Sequence, residues 1–176
     1  WAVSDGALAR VAGLEVNNYF ESHIDRESFR SYLNIQKTRE GKRHRDLELI
    51  FDYEKNRTIV KEIDPSVDPP KKIKNLVQRG IPAPVIDMLS VFYVARLQPI
   101  ELGQQYLLHL NERGDFKQVH VVAESTEEVG TPLGEFSSVK LRTTGGALKG
   151  GGDLRIWYAE APPRIPVKFE ADAKVG

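Results

Sequence analysis

The chain has 176 residues, 40% hydrophobic and 28% charged, the usage of a globular domain rather than of a disordered or collagen-like chain. Lys plus Arg and Asp plus Glu each count 25, so no net field steers the protein onto nucleic acid. The absence of cysteine excludes disulfides, thiolate nucleophiles and cysteine-ligated metal.

No apolar run approaches the roughly 20 residues that a membrane-spanning helix needs, and this length predicts a single domain over residues 1–176. The chain opens at Trp1, not Met, which reads as a processed or trimmed start with no leader from which to infer a compartment.

Leu8, Val11 and Ala12 have helix-compatible spacing, but Gly6 and Gly13 confine that segment, Ala7 to Leu14, to a short turn at most. From Asn17 the pattern alternates, with Tyr19, Glu21 and His23 on one side of a pleat and Phe20, Ser22 and Ile24 on the other. A second strand, Phe29 to Arg39, reaches Glu40-Gly41-Lys42, a hairpin turn, and a third, Arg45 to Tyr53, returns. In the third, Leu47, Leu49 and Phe51 alternate with polar residues, which predicts a sheet covered on one face. Glu54-Lys55-Asn56-Arg57 turns into a fourth strand, Thr58 to Ile63.

Residues 64–84 carry five prolines with Lys71, Lys72 and Lys74 and read as a long Pro/Lys-rich connection inside the domain. Pro84 to Gln98 follows, with ten apolar or aromatic residues apart from proline. Proline at its start and Pro99 just beyond its end predict one very apolar helix. On that helix Asp87, Ser90 and Gln98 share a narrow polar stripe with Arg96 nearly opposite, so the apolar surface exceeds what packing on a single sheet requires. Complete burial in the domain's own core accounts for the same surface without a ligand.

Strands are expected again over Gln104 to Leu110, Phe116 to Ala123, Phe136 to Arg142, Leu154 to Ala159 and Pro166 to Ala171, with Asn111 to Asp115 as a glycine-containing turn. The fold class is therefore mainly β (α+β), an antiparallel meander, a helix and a second meander.

Motifs that carry chemistry are scarce. His23, His44, His109 and His120 lie in no metal-ligand spacing, so no metal and no cofactor is expected, although His109 and His120 could meet across their hairpin. No Gly-x-Ser-x-Gly elbow occurs, and the glycine run Gly145 to Gly152 lacks the ending and context of a phosphate loop. The basic stretch Lys37 to Arg45 reads as a solvated hairpin tip. No catalytic residue is assigned, and the chain reads as a non-enzyme.

Three stretches resemble a bacterial family of exported proteins, the domain of unknown function 3108. They are Asp87 to Arg96, Thr131 to Phe136, and Leu154 to Tyr158 together with Arg164 to Lys168, and Glu21 to Asp25 fits more weakly. The resemblance implies a fold like periplasmic lipoprotein carriers: a curved sheet or incomplete β-barrel whose concave face is apolar and packed by the helix. It also implies further strands upstream of Trp1, a periplasmic or outer-membrane-associated location, and no activity.

The expected function is a cell-envelope protein that binds a lipid, a lipoprotein acyl chain or another apolar ligand between sheet and helix. Val91, Phe92, Leu97 and Trp157 are the expected contacts and Arg96 the polar anchor. The alternatives are an assembly module docking another envelope protein and, third, a hydrolase without a recognisable motif.

Overall fold

The structure, a computed structural model, describes residues 2–3, 16–81, 84–97, 100–144 and 152–172. It is mainly β, with two sheets and, among the described residues, one short helix. The chain divides into two compact units, Trp1–Ser90 with Asn111–Phe116, and Val91–Leu110 with Lys117–Gly176.

The first unit carries a sheet in sequence order, β1 (Ala2–Val3), β2 (Asn17–Ile24), β3 (Ser31–Glu40), β4 (Arg43–Asp52), β5 (Arg57–Asp64) and β6 (Lys71–Arg79). Every paired neighbour is antiparallel. The β3–β4 turn is the two residues Gly41-Lys42, because Glu40 pairs with Arg43. Gly41 sits at φ +54°, the sign a two-residue hairpin with glycine first requires. Leu47, Leu49 and Phe51 are buried, and Leu49 pairs with Val60 on one side and Asn34 on the other. These side chains and Val85 form the core, with Tyr53, Leu76, Ile81 and Phe116 packed against it. The alternation in β4 thus defines the buried face.

Residues 64–84 are not simply a connection. They contain β6, whose Leu76 pairs with Val60. Lysine at an edge masks the usual strand signal: Lys71, Lys72 and Lys74 are what an edge strand carries to discourage further pairing.

The apolar segment also differs from the expected helix over Pro84 to Gln98. Val85–Asp87 is a strand, β7, all three residues buried, and the helix α1 is only Val91–Ala95. β-Branched Val85 and Ile86 suit an extended backbone. Asp87 then fixes the change of direction, its Oδ1 accepting the backbone N–H groups of Leu89 at 2.8 Å and Ser90 at 3.0 Å. Asp87 and Ser90 therefore lie on no helical stripe, and Gln98 falls outside the described residues.

The second unit holds α1 and, from a second six-stranded sheet, in order, β12 (Pro166–Ala171), β11 (Leu154–Ala159), β10 (Gly134–Thr144), the part of β9 (Asp115–Thr131) from Lys117 and the part of β8 (Gln105–Glu112) up to Leu110. The two C-terminal strands have the bounds expected from sequence. β9 is longer than expected, running through Glu127-Glu128-Val129 to a turn at Pro132-Leu133. The predicted segment Ala7 to Leu14 and nearly all of the glycine run fall outside the described residues.

Candidate functional site

In β11 successive side chains point to opposite faces of the sheet. Tyr158 points to the face that carries α1, where its hydroxyl donates to the Phe92 carbonyl at 3.1 Å. Phe92 also meets Phe169 of β12 edge-on, with ring centroids 5.2 Å apart. Val139 and Leu141 pair with Tyr158 and Ile156 and so share that face. All four are buried.

Between the end of α1 and this face lies an apolar cavity of about 20 Å³, walled by Ala95, Ile100, Tyr106, Leu108, Val121 and Leu141. A second pocket, of about 90 Å³, is lined by Ile100, Val139, Tyr158, Ala159, Glu160 and Arg164. Ile100 is a wall of both. The outer side of α1 remains apolar and solvent-facing, with Tyr93 56% and Leu97 51% exposed.

The expected contact residues thus divide. Val91, Phe92, Arg96 and Leu97 lie on or beside α1, with Val94 the buried residue of that helix. Trp157 lies on the opposite face of the sheet. Its cross-strand partners are Lys140 and Lys168, whose ammonium groups stand over its ring at 5.5 and 4.4 Å. Its indole N–H donates to Glu127 at 2.7 Å. Lysine stems covering an indole explain how Trp157 is buried on a charged face.

Arg96 stacks over the Tyr93 ring at 5.6 Å and, among the described residues, has no carboxylate partner. Burial pushes the Tyr158 hydroxyl well above the usual tyrosine range, and the positive charge of Arg96 works against that shift. Tyr158 therefore stays a neutral donor at physiological pH.

The first unit holds a polar cluster that the sequence did not single out. Asp87 is fully buried. Its Oδ2 accepts from the hydroxyls of Ser22, Ser31 at 2.6 Å and Ser90 at 2.8 Å, and Asn34 reaches Oδ1 at 3.3 Å. Ser22 and Asn34 are cross-strand partners and face the same way. Strict alternation would set Ser31 opposite Asn34. A bulge at His23/Ile24 shifts the register and lets both reach Asp87. Satisfying a buried carboxylate with neutral donors is a structural solution to its desolvation. The spacing Asp87-x-x-Ser90 was the available signal, and it was hidden by the expectation of a helix.

A second buried acid, Glu62, is paired with Arg113 and lies 3.8 Å from Arg45. The basic hairpin is largely neutralised where it joins the sheet, Arg39 with Asp46 at 2.7 Å and Arg45 with Asp64 at 2.7 Å. Among the described residues no His, Asp and Glu group has the geometry to hold a metal, and no serine hydroxyl bonds a histidine. His23 bonds Glu21 at 2.5 Å, and His109 meets Gln118, not His120, at 3.2 Å. No helix among the described residues is long and apolar enough to cross a membrane.

The family model described as Protein of unknown function (DUF3108) matches residues 3–176. No curated protein and no solved structure matches the chain.

Proposed function

The chain belongs to the DUF3108 family over essentially its whole length, and from that premise we propose a non-enzymatic protein of the bacterial cell envelope that binds an apolar ligand between α1 and the sheet. The ligand class is a lipid, a lipoprotein acyl chain or a similar elongated molecule, and the location is periplasmic or outer-membrane-associated. In this reading the strands form a curved sheet or incomplete barrel of the lipoprotein-carrier kind, with α1 on the concave face.

The observation that carries the proposal is the apolar cavity under Ala95. Its volume of about 20 Å³ holds roughly one water, so a chain-like ligand enters only if α1 moves. α1 has five residues, too few to be stable alone, and is held to the sheet by Phe92 and by burial of Val94.

The test is native mass spectrometry after gentle purification, followed by titration with fatty acids and phospholipids. A stoichiometric adduct is expected with the natural chain and none with Val121→Phe, which fills the cavity. No adduct and no binding in the natural chain would overturn the proposal.

A second reading, docking of another envelope protein, is favoured by a different observation. Leu102 is 59% and Leu107 46% exposed in the same unit as Tyr93 and Leu97. Photocrosslinking from position 102 in cell envelopes distinguishes the two, since a protein adduct without bound lipid supports docking.

A further inference from the structure

We propose that the outer edge of β12 is a self-complementary surface that pairs with the same edge of a second copy of this chain, antiparallel and with Phe169 opposite its own counterpart. This is independent of the apolar-ligand reading. The second sheet ends at β12, which pairs with β11 on one side and with no strand among the described residues on the other. The Asp172 N–H donates to the Asp153 carbonyl at 3.0 Å, so Asp172 turns its backbone toward β11. Backbone groups alternate in direction along a strand, which leaves those of Phe169 and Ala171 turned to the open edge. Phe169 is itself 50% exposed.

A two-fold axis through Phe169 fixes the rest of the register. Lys168 of each copy then lies opposite Glu170 of the other, and Val167 lies opposite Ala171. The smallest slip that keeps every side chain on its own face is two residues. It moves the axis to Lys168 or to Glu170 and sets like charges opposite each other. Lys168 and Glu170 are 2.7 Å apart and close to half exposed, so both charges are available across the axis. Phe169 already meets Phe92 edge-on, and its counterpart extends that aromatic row. β6, which ends the first sheet, is the opposite case: Lys71, Lys72, Lys74 and Arg79 with no acid, so two copies of it repel. The balance of one cation and one anion about a central aromatic residue selects a second copy of β12 over an acidic or a basic partner.

The experiment measures mass against concentration by sedimentation equilibrium for the natural chain, Lys168→Glu and Glu170→Lys, the two variants alone and mixed in equal amounts. A single strand pair is a small contact, so the natural chain is expected to dimerise weakly, at roughly micromolar to millimolar concentration. Each variant alone sets like charges opposite each other and is expected to associate about tenfold or more weakly than the natural chain. The mixture restores both acid–lysine pairs, because the two acids of one chain meet the two lysines of the other, and is expected to recover a heterodimer. The chain has no cysteine, so Phe169→Cys and Val77→Cys, the latter 53% exposed on β6, give a second measurement. A short bis-maleimide is expected to join copies through position 169 and not through 77, and this decides the matter if a charge variant does not fold. Single variants that associate as tightly as the natural chain, no recovery on mixing folded variants, or cross-linking at 77 equal to that at 169 overturns the pairing. So does a natural chain that stays monomeric to about 1 mM, beyond the range of a weak specific dimer.

Discussion

The Tyr158 hydroxyl donates to the Phe92 carbonyl at 3.1 Å, one hydrogen bond that fastens the only helix among the described residues to its sheet. Tyr158 is 1% exposed, so its donor has no alternative in bulk water. Removing it with Tyr158→Phe is expected to lower stability by about 1 kcal/mol. Amide hydrogen exchange should quicken over residues 91–97 while β9 and β10 keep their protection. Unchanged exchange in that segment would mean that α1 is held by other contacts.

Trp157, although adjacent in sequence, should be silent in ligand binding. It lies on the far face with Lys140 and Lys168, so Trp157→Phe is expected to leave fatty-acid affinity within about twofold, while losing its bond to Glu127 costs about 1 kcal/mol in urea denaturation. A large loss of affinity in a correctly folded variant would place Trp157 within reach of the ligand.

Asp87 is expected to be among the least replaceable residues. Asp87→Ala strands the hydroxyls of Ser22, Ser31 and Ser90 and the backbone donors of Leu89 and Ser90. A loss of about 3 kcal/mol or more is expected by chemical denaturation. Asp87→Asn, which keeps one acceptor and the shape, should lose less. Equal effects would show that the acceptor count is not what matters.

Two hairpin glycines separate strain from crowding. Gly114 lies at φ +97°, and a Cβ there would come within 2.7 Å of Val60 Cγ2. Gly134 lies at φ +122° with open space around it. Both alanine substitutions meet an unfavourable backbone region, of order 1 kcal/mol or more. Only Gly114→Ala must also displace a fully buried valine, so its thermal midpoint is expected to fall further than that of Gly134→Ala.

The Asp64 carboxyl is held down at about 2, first by hydrogen bonds from Ser66 and then by Arg45. A carboxyl whose folded value lies below its ordinary value of 3.8 contributes stability above that ordinary value, and the contribution is lost as pH falls through about 2. The NMR titration midpoint of Asp64 is expected near 2 and should rise toward the ordinary value in Ser66→Ala. A midpoint already at the ordinary value in the natural chain would exclude the Ser66 contacts in solution.

What the sequence determined by itself was whatever depends on neighbours along the chain. Alternation identified the buried face of β4 through Leu47, Leu49 and Phe51, and Gly41 marked its hairpin, because side-chain period and turn conformation are set within a few residues. The apolar character of residues 85–97 was equally legible, as was the presence of Arg96 in it.

Tertiary structure decided the rest. An apolar run does not state its own period, and whether Val85 to Asp87 became strand or helix rested on Ser22, Ser31 and Asn34, more than fifty residues away, converging on Asp87. Alternation required Trp157 and Tyr158 to face opposite ways. It could not say which face would receive α1, because that depends on where Phe92 and Phe169 meet. The cavity at Ala95 and the pocket at Arg164, which share Ile100 as a wall, exist only once strands distant in sequence are side by side, because no local pattern states which side chains will line a common space.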